Sequence, residues 1–438
     1  MSRRVVITGM GWITPLGCDI ETVWQRLQAG KTGMAPTTNF DASKFPTTFS
    51  SEVKDDFDLA AIIGAEAAQR HATASLNSRF ALGAATLAWR SAGFDRQAPT
   101  DMSRVGIYLG GGEGPLDFEP FAAAACCGWD SEQRSLNTVK WAQVASERLD
   151  RMKELEQEPN LAASHIACHL KVRGPSYNTL TACAASTQAI GEAMCILRRG
   201  DADVMISGGT HSMIHPLGVT GFNRLTALST RNDEYASASR PFDRTRDGFV
   251  LGEGAAMVIL EDLEHAQARG ATILAEVAGY GSTADAFRIT DIHESGRGAI
   301  AAMRLAIEDA GISTSDIDYI NAHGTGTEEN DKIETLAIRT LFQEGGRKAP
   351  PVSSVKSMLG HLIAAAGATE LITCVLAIRD GVLPPTMNYE HPDPNCDLDY
   401  VPNAPRKADV CIALSNSFGF GGQNDTLVVR KFATEPRP

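Results

Sequence analysis

AASTQAIGEAMCILRRGDADVMISGG, residues 184–209, is the stretch on which the reading of the fold turns. It begins as a small-residue helix, continues into a short apolar run with the length of a buried strand, and ends in a glycine turn. The segment AAGATELITCVLAIRDG at 365–381, followed by VCIALSNSFG at 410–419, presents the same succession. Two similarly built halves would explain the match, and so would chance, since any α/β protein offers such pairs.

Working outward, strand-like and helical runs alternate along the chain. RVVITG precedes TVWQRLQAG, LNSRFALGAATLAWRSAG precedes RVGIYLGG, and the rhythm restarts at TILAEVAGYGS, GAIAAMRLAIEDAG, IDYINAHGTG, KIETLAIRTLF and PVSSVKS. This predicts an α/β layered protein. No linker rich in Pro, Ser or Gly divides it, so the halves read as one fused unit. Residues 112–165 are less regular, and QVASERLDRMKELEQEP within them reads as one exposed, charge-laced helix of an insertion or cap.

The composition is that of an ordered globular chain, 43% hydrophobic and 21% charged over 438 residues. No apolar run reaches the ~18 residues of a spanning helix, and MSRRVVITGMG has no signal-peptide apolar region, so membrane insertion is not expected and a cytoplasmic location is. A net charge of -13 disfavours nucleic acid, whose phosphates require clustered cations. Nine cysteines without a CxxC pair suggest neither a disulfide framework nor a zinc ribbon. GMGWIT carries two glycines of a dinucleotide fingerprint, but Pro15 and Gly17 stand where its helix would start.

Four segments carry candidate chemistry. In TLTACAAS, Cys183 stands at a helix start, where free N–H groups stabilise a thiolate and lower its pKa; a lone cysteine is equally a buried small hydrophobe. NAHGTGT, residues 321–327, sets His323 at a strand end before a Gly-rich turn, with Thr325 and Thr327 able to bond a polar ligand arm. SSVKSMLGHLIAAAGATE, residues 353–370, starts a helix at His361 between Lys356 and Glu370. SNSFGFGGQN, residues 415–424, is either an oxyanion-binding turn or a hairpin with a core aromatic.

In order along the chain, RRVVITGMGWITPLG, RGPSYNTLTACAAS, LSTRND, SRPFDRTRDGFVLGEGA, NAHGTGT, VKSMLGHLIAAAGATE and NSFGFGGQN resemble the elongating class of β-ketoacyl-acyl-carrier-protein synthases, in the thiolase-like superfamily. The resemblance implies two βαβαβαββ-type halves forming a layered αβαβα core. Residues 1–262 would carry the nucleophile and the 112–165 cap, and residues 263–438 the two histidines. It places a catalytic triad on Cys183, His323 and His361, supporting roles on Lys356 and Glu370 around His361, an oxyanion donor and gate on Phe420, and phosphopantetheine contacts on Thr325, Thr327 and Thr290. The implied reaction is decarboxylative Claisen condensation of a Cys-bound acyl group with malonyl-acyl carrier protein, in fatty-acid elongation. No metal and no bound cofactor are implied, because the prosthetic arm arrives on the carrier protein. A homodimer is implied, and a heterodimer with a synthase-like partner subunit is possible.

The sequence departs from that pattern in places. Arg288 stands for an expected histidine in the altered 288–297 loop, and Thr226 for an arginine before ALST. The helix near 65–80 has only Arg70 and Arg79 as cations, which leaves Arg224 and Arg231 as candidates for docking the acidic carrier. GTGT is also common in polyketide condensing enzymes. A ketosynthase of a type II polyketide or specialised lipid pathway is therefore the alternative, and a non-catalytic chain-length factor is disfavoured by Cys183 and both histidines.

Overall fold

The computed structural model describes residues 3–433 apart from 55–56, 113, 115 and 291, so Glu113, Pro115 and Asp291 of the 112–165 and 288–297 segments lie outside the described residues. Ten strands form the principal sheet: β1 (Val5–Ile13), β2 (Val105–Gly111), β3 (Ser176–Thr179), β4 (Val204–His211), β5 (Gly254–Asp262), β6 (Ala275–Ala284), β7 (Tyr319–Asn321), β8 (Val352–Ser353), β9 (Ile412–Gly419) and β10 (Gln423–Arg430). Their order is β8-β7-β9-β10-β6-β1-β5-β4-β2-β3. Counted from the β1–β6 seam, each set of five repeats one order: first, fifth, fourth, second and third strand.

The seam is antiparallel, with Val5, Val6 and Ile7 opposite Val277, Glu276 and Ala275. Buried Glu276 locks it by accepting from Arg4 at 2.6 Å and Arg430 at 2.7 Å. Both seam strands bulge just past this contact, between Ile7 and Gly9 and between Val277 and Gly279. The glycines beyond the bulges do the same work in both halves. A Cβ on Gly9 or Gly11 would strike carbonyls of one helix, and a Cβ on Gly279 or Gly281 those of another. The GMG of the N-terminal strand is thus a packing device rather than a phosphate loop.

Six helices complete the layers: α1 (Leu76–Ser91), α2 (Leu161–Leu170), α3 (Ala185–Arg199), α4 (Arg297–Asp309), α5 (Glu328–Glu344) and α6 (Ala366–Asp380). Helix α1 covers β1, β4 and β5 from outside, with α2 beside it, while α4 covers β6, β9 and β10 beside α5. Helices α3 and α6 touch strands of both halves and each other, which makes them the middle of five layers, αβαβα. Their seclusion explains the composition of α6, buried from Ala366 through Ile378. No exposed stripe is left to give it a helical periodicity.

Three strands escape a pattern reading. Every residue of β5 is buried and β10 is buried at its six central positions, so neither alternates, while β3 is a four-residue edge strand. QVASERLDRMKELEQEP is two helices, Thr138–Arg148 and Arg151–Leu155, because Asp150 accepts from the N–H groups of Met152 and Lys153 and starts the second. Among the described residues no helix is long and apolar enough to cross a membrane.

The inner face of β4 approaches the middle layer so closely that a Cβ on Gly209 would collide with the Ala364 carbonyl oxygen. Gly209→Ala is expected to cost about 1–3 kcal/mol in chemical denaturation, the range for forced overpacking. Gly221→Ala is the control: its Cβ meets nothing within 4 Å in the helix Pro216–Arg224, so stability should rise by about 0.5–1 kcal/mol. Equal effects at the two positions would contradict this packing.

Candidate active site

Each central helix is entered through a single 3₁₀ turn, Ala182–Ala184 before α3 and Ile363–Ala365 before α6. Both turns begin with a non-glycine residue in the left-handed region, Ala182 at φ 48° and Ile363 at φ 41°. Such strain persists only where the surroundings over-determine it. In the first turn it lifts Cys183 to the head of α3, where the thiol borders a cavity of about 310 Å³.

His323 follows β7, and its turn is held from below by α5. Glu334 accepts from the N–H groups of His323 and Gly324, both at 2.8 Å, and Asp331 accepts from Gly326 at 3.2 Å. Gly324 and Gly326 supply the positive φ values the turn requires. His361 is held by the segment SRPFDRTRDGFVLGEGA: its N–H donates to Val250 O at 2.7 Å, its carbonyl accepts from Gly252 at 2.9 Å, and Phe249 stands edge-on to its ring. Phe249 and Glu334 escape sequence reasoning. The signals available were a glycine-flanked aromatic and an acid on the helix after NAHGTGT.

The sulfur of Cys183 and a ring nitrogen of each histidine lie within 4.8 Å of one another. The two imidazoles meet edge to face at 5.3 Å between centroids. Nδ1 of His361 accepts from Ile363 N–H at 3.3 Å, so its proton resides on Nε2, which is buried with no partner. Nδ1 of His323 lies 3.4 Å from the Lys356 ammonium, which leaves the Nε2 of His323 as its donor. Burial first, and the Lys356 charge second, hold both histidines well below the ordinary imidazole pKa. Both are neutral donors at physiological pH.

Lys356 acts on His361 through its charge, as on His323, but its direct contacts are to His323. Lys356 donates to the carbonyl of His323 at 2.7 Å and pairs with Glu370, so the hydrogen bonds of the pair brace His323. Neither borders the cavity. Burial raises the Glu370 carboxyl to about 7 against the pull of Lys356.

The expected lowering of the Cys183 pKa is also reversed. Burial pushes the thiol up to about 11, although Lys356 and backbone N–H groups of Phe420 and Cys183 act to lower it. Desolvation of a thiolate at this depth outweighs those donors. The donors themselves are well placed for an oxygen at the same spot. SNSFGFGGQN spans the hairpin of β9 and β10, and its loop points the Phe420 N–H at Cys183. Gly419 allows the approach, since a Cβ there would lie 2.7 Å from Thr181 O.

Thr325 and Thr327 line the cavity with their hydroxyls 2.9 Å apart, and exposed Thr290 borders it. Phe420 lines it too, packed on the apolar group formed by Cys183, Ile214, Phe249, Leu251 and Ile363. Arg224 is exposed beside Asn223 and Thr226, whereas Arg231 is engaged with Asp247, Glu234 and the Thr245 carbonyl and presents no free cation for docking. Among the described residues, none from 112–165 lines the cavity at Cys183. That segment is anchored instead to the start of α1, where buried Glu156 accepts from Ser75 N–H and the Ser78 hydroxyl, both at 3.0 Å. Cys183, His323 and His361 are also spaced to share a cation, but the Lys356 ammonium beside His323 opposes a divalent charge there.

Residues 2–266 match the family described as beta-ketoacyl synthase, N-terminal domain, and residues 274–390 match the beta-ketoacyl synthase, C-terminal domain. The chain is 42% identical to the 3-oxoacyl-[acyl-carrier-protein] synthase 2 of Coxiella burnetii, over 98% of this chain and 99% of that protein. It is similar in structure to the ishigamide ketosynthase/chain length factor, with a TM-score of 0.86 and 33% identity over 99% of this chain and 100% of that one. It is also similar to a type II polyketide ketosynthase, bound to a hexaketide and in complex with its acyl-carrier protein, with a TM-score of 0.85 and 31% identity over 99% of this chain and 100% of that one. The repeated five-strand order, the five layers and these matches together establish that the chain belongs to the beta-ketoacyl synthase family, with a thiolase-like fold.

Proposed function

We propose that this chain catalyses the condensation of an acyl group held on Cys183 with a malonyl unit on acyl carrier protein, releasing carbon dioxide and giving a 3-oxoacyl carrier thioester. The observation that carries this is the convergence of one thiol, two neutral imidazole donors and two backbone N–H groups on one cavity. Relatives named 3-oxoacyl-[acyl-carrier-protein] synthase 2 support the fatty-acid reading.

The sulfur of Cys183 attacks the carrier-bound acyl thioester, and the N–H groups of Cys183 and Phe420 stabilise the tetrahedral oxyanion. The carbon–sulfur bond to the carrier arm breaks, and the thiol proton ends on the departing pantetheine sulfur. Loss of carbon dioxide from the malonyl thioester then leaves an enolate, whose oxygen accepts from His323 and His361. Neutral donors suit this step, since an imidazolium would hand the enolate its proton and quench it. The enolate carbon attacks the acyl-Cys183 carbonyl, the bond to sulfur breaks, and the thiolate regains a proton from water. Lys356 and Glu370 act as positioning residues for His323.

The carrier's phosphopantetheine arm, rather than a bound cofactor, would occupy the cavity beside Thr325 and Thr327, with Thr290 at its border. Phe420 serves as a gate, because its flanking glycines let one loop open the acyl side and carry the oxyanion donor. The carrier itself is the partner, as in the ketosynthase complex of similar fold, with Arg224 the remaining docking candidate. A cytoplasmic location fits the nine free cysteines. Edge strand β3 has β2 as its neighbour on one side alone, with Tyr177 and Leu180 more than half exposed, which supports a homodimer joined there. The likeness to type II polyketide ketosynthases favours one second reading, the same chemistry on a polyketide or specialised acyl chain.

Cys183→Gln is expected to reduce condensation by about three orders of magnitude or more while malonyl decarboxylation continues. His361→Ala should cut decarboxylation by about 10²–10³-fold and leave Cys183 acylation partly intact. Equal loss of both half-reactions in both variants refutes the assigned division of labour.

A thiol raised to about 11 is protonated at neutral pH, and its thiolate fraction grows as pH rises. Alkylation of Cys183 by iodoacetamide should therefore climb about tenfold per pH unit from pH 7 to 10. A plateau by pH 8 would show that the helix start and Lys356 dominate burial after all.

Light scattering at micromolar concentration should give about twice the 46.7 kDa chain mass. A single species at chain mass eliminates the proposed homodimer.

A further inference from the structure

Arg246 is 8% exposed and does not line the cavity at Cys183, yet it grips one turn of that cavity's wall. Its Nε donates to the Thr327 carbonyl at 3.2 Å and its Nη2 to the Glu328 carbonyl at 2.9 Å. On the other side Nη1 donates to the Asp243 carbonyl at 2.9 Å and to the Asp393 carboxylate at 2.6 Å.

The same turn is held at its remaining backbone groups. Asp331 accepts from Gly326 N–H at 3.2 Å, the Gly326 carbonyl accepts from Gly248 N–H at 3.1 Å, and Thr327 N–H donates to the Thr325 hydroxyl at 3.3 Å. Little freedom is left between Gly326 and Glu328, so the Thr325 and Thr327 hydroxyls, 2.9 Å apart, are fixed at the cavity wall. Two hydroxyls that share one proton keep a second proton and further lone pairs for a ligand. Stability alone does not account for the arginine, because a buried cluster such as Arg246 with Asp393 and with Asp331 at 3.7 Å often contributes no more than apolar packing of the same volume. What a guanidinium adds is geometry: its planar fork sets two successive carbonyls relative to each other, which a lysine ammonium cannot do.

We propose that Arg246 is a positioning residue for the carrier's phosphopantetheine arm: by holding the Thr327 and Glu328 carbonyls, it sets the Thr325 and Thr327 hydroxyls at the spacing that receives the arm's polar groups. The inference rests on the condensing reading above and deepens it with a residue that lies outside the cavity. Three residues further on, Phe249 stands edge-on to His361, so the experiment has to separate arm binding from a disturbance of the imidazoles.

The test is single-turnover acylation of Cys183, read by intact mass, with one straight-chain acyl group presented either as its pantetheine thioester or as its ethanethiol thioester, which has the same reacting carbon and no arm. In the wild type the pantetheine thioester should have a second-order rate constant at least about tenfold higher. Arg246→Lys should remove most of that ratio, through the half-saturation concentration rather than the limiting rate. The double variant Thr325→Val, Thr327→Val should lower the ratio as far, and adding Arg246→Lys to it should lower the ratio no further, because the arginine acts through the threonines. A fall shared equally by both thioesters, an effect that adds to that of the threonine variant, or a wild type without the advantage overturns the proposal. Thermal midpoints establish that the variants are folded. Where Arg246→Lys is not, Asp393→Asn, which keeps the arginine and removes the charge opposite Nη1, takes its place and should lower the same ratio by about threefold; an unchanged ratio there overturns the proposal. Failure of both thioesters to acylate Cys183, in an enzyme that also takes no acyl group from carrier protein, would remove the condensing reading and this proposal with it.

Discussion

The contact on which the rest depends is the approach of backbone to backbone at the heads of the two central helices. Gly209, Gly110, Gly367 and Gly419 each lie where a side chain would overlap a neighbour around these two turns. The crowding holds Ala182 and Ile363 in left-handed conformations that neither would adopt alone. Through the first turn it fixes Cys183, through Gly419 the Phe420 N–H, and through the second turn the Ile363 N–H that sets the tautomer of His361. The geometry at the cavity thus follows from how closely two strands and two helices meet.

The two turns are structural counterparts with different chemistry. Ala364 occupies in the second the middle place that Cys183 occupies in the first. One half supplies the thiol at the cavity and the other supplies both imidazoles. Residues of both halves line the one cavity, which lies at the shared helical layer.

Burial sets the electrostatic terms. It disfavours the imidazolium form of both histidines and the thiolate of Cys183, and it raises the carboxyls of Glu334 and Glu370 to about 7. Lys356 is the cation set against this, close to the carbonyl and ring of His323. The two imidazoles and the thiol that border the cavity are therefore uncharged at neutral pH, with the charged Lys356 set behind them.

The alternation of elements, the Cys183, His323 and His361 segments and the Gly-rich hairpin were legible in the sequence because each is local: a helix start, a strand end, a tight turn. Strands β5 and β10 were not, since burial on both faces removes the alternation by which a strand is recognised. The sequence by itself determined which chemical groups the chain possesses and which short segments present them. Only the tertiary structure decided that Lys356 bonds to His323, that Arg231 is occupied, that no described residue of 112–165 lines the cavity at Cys183, and that the Cys183 thiol is raised rather than lowered. Those outcomes depend on desolvation and on partners far apart in the chain, and both quantities come into existence only when the layers close.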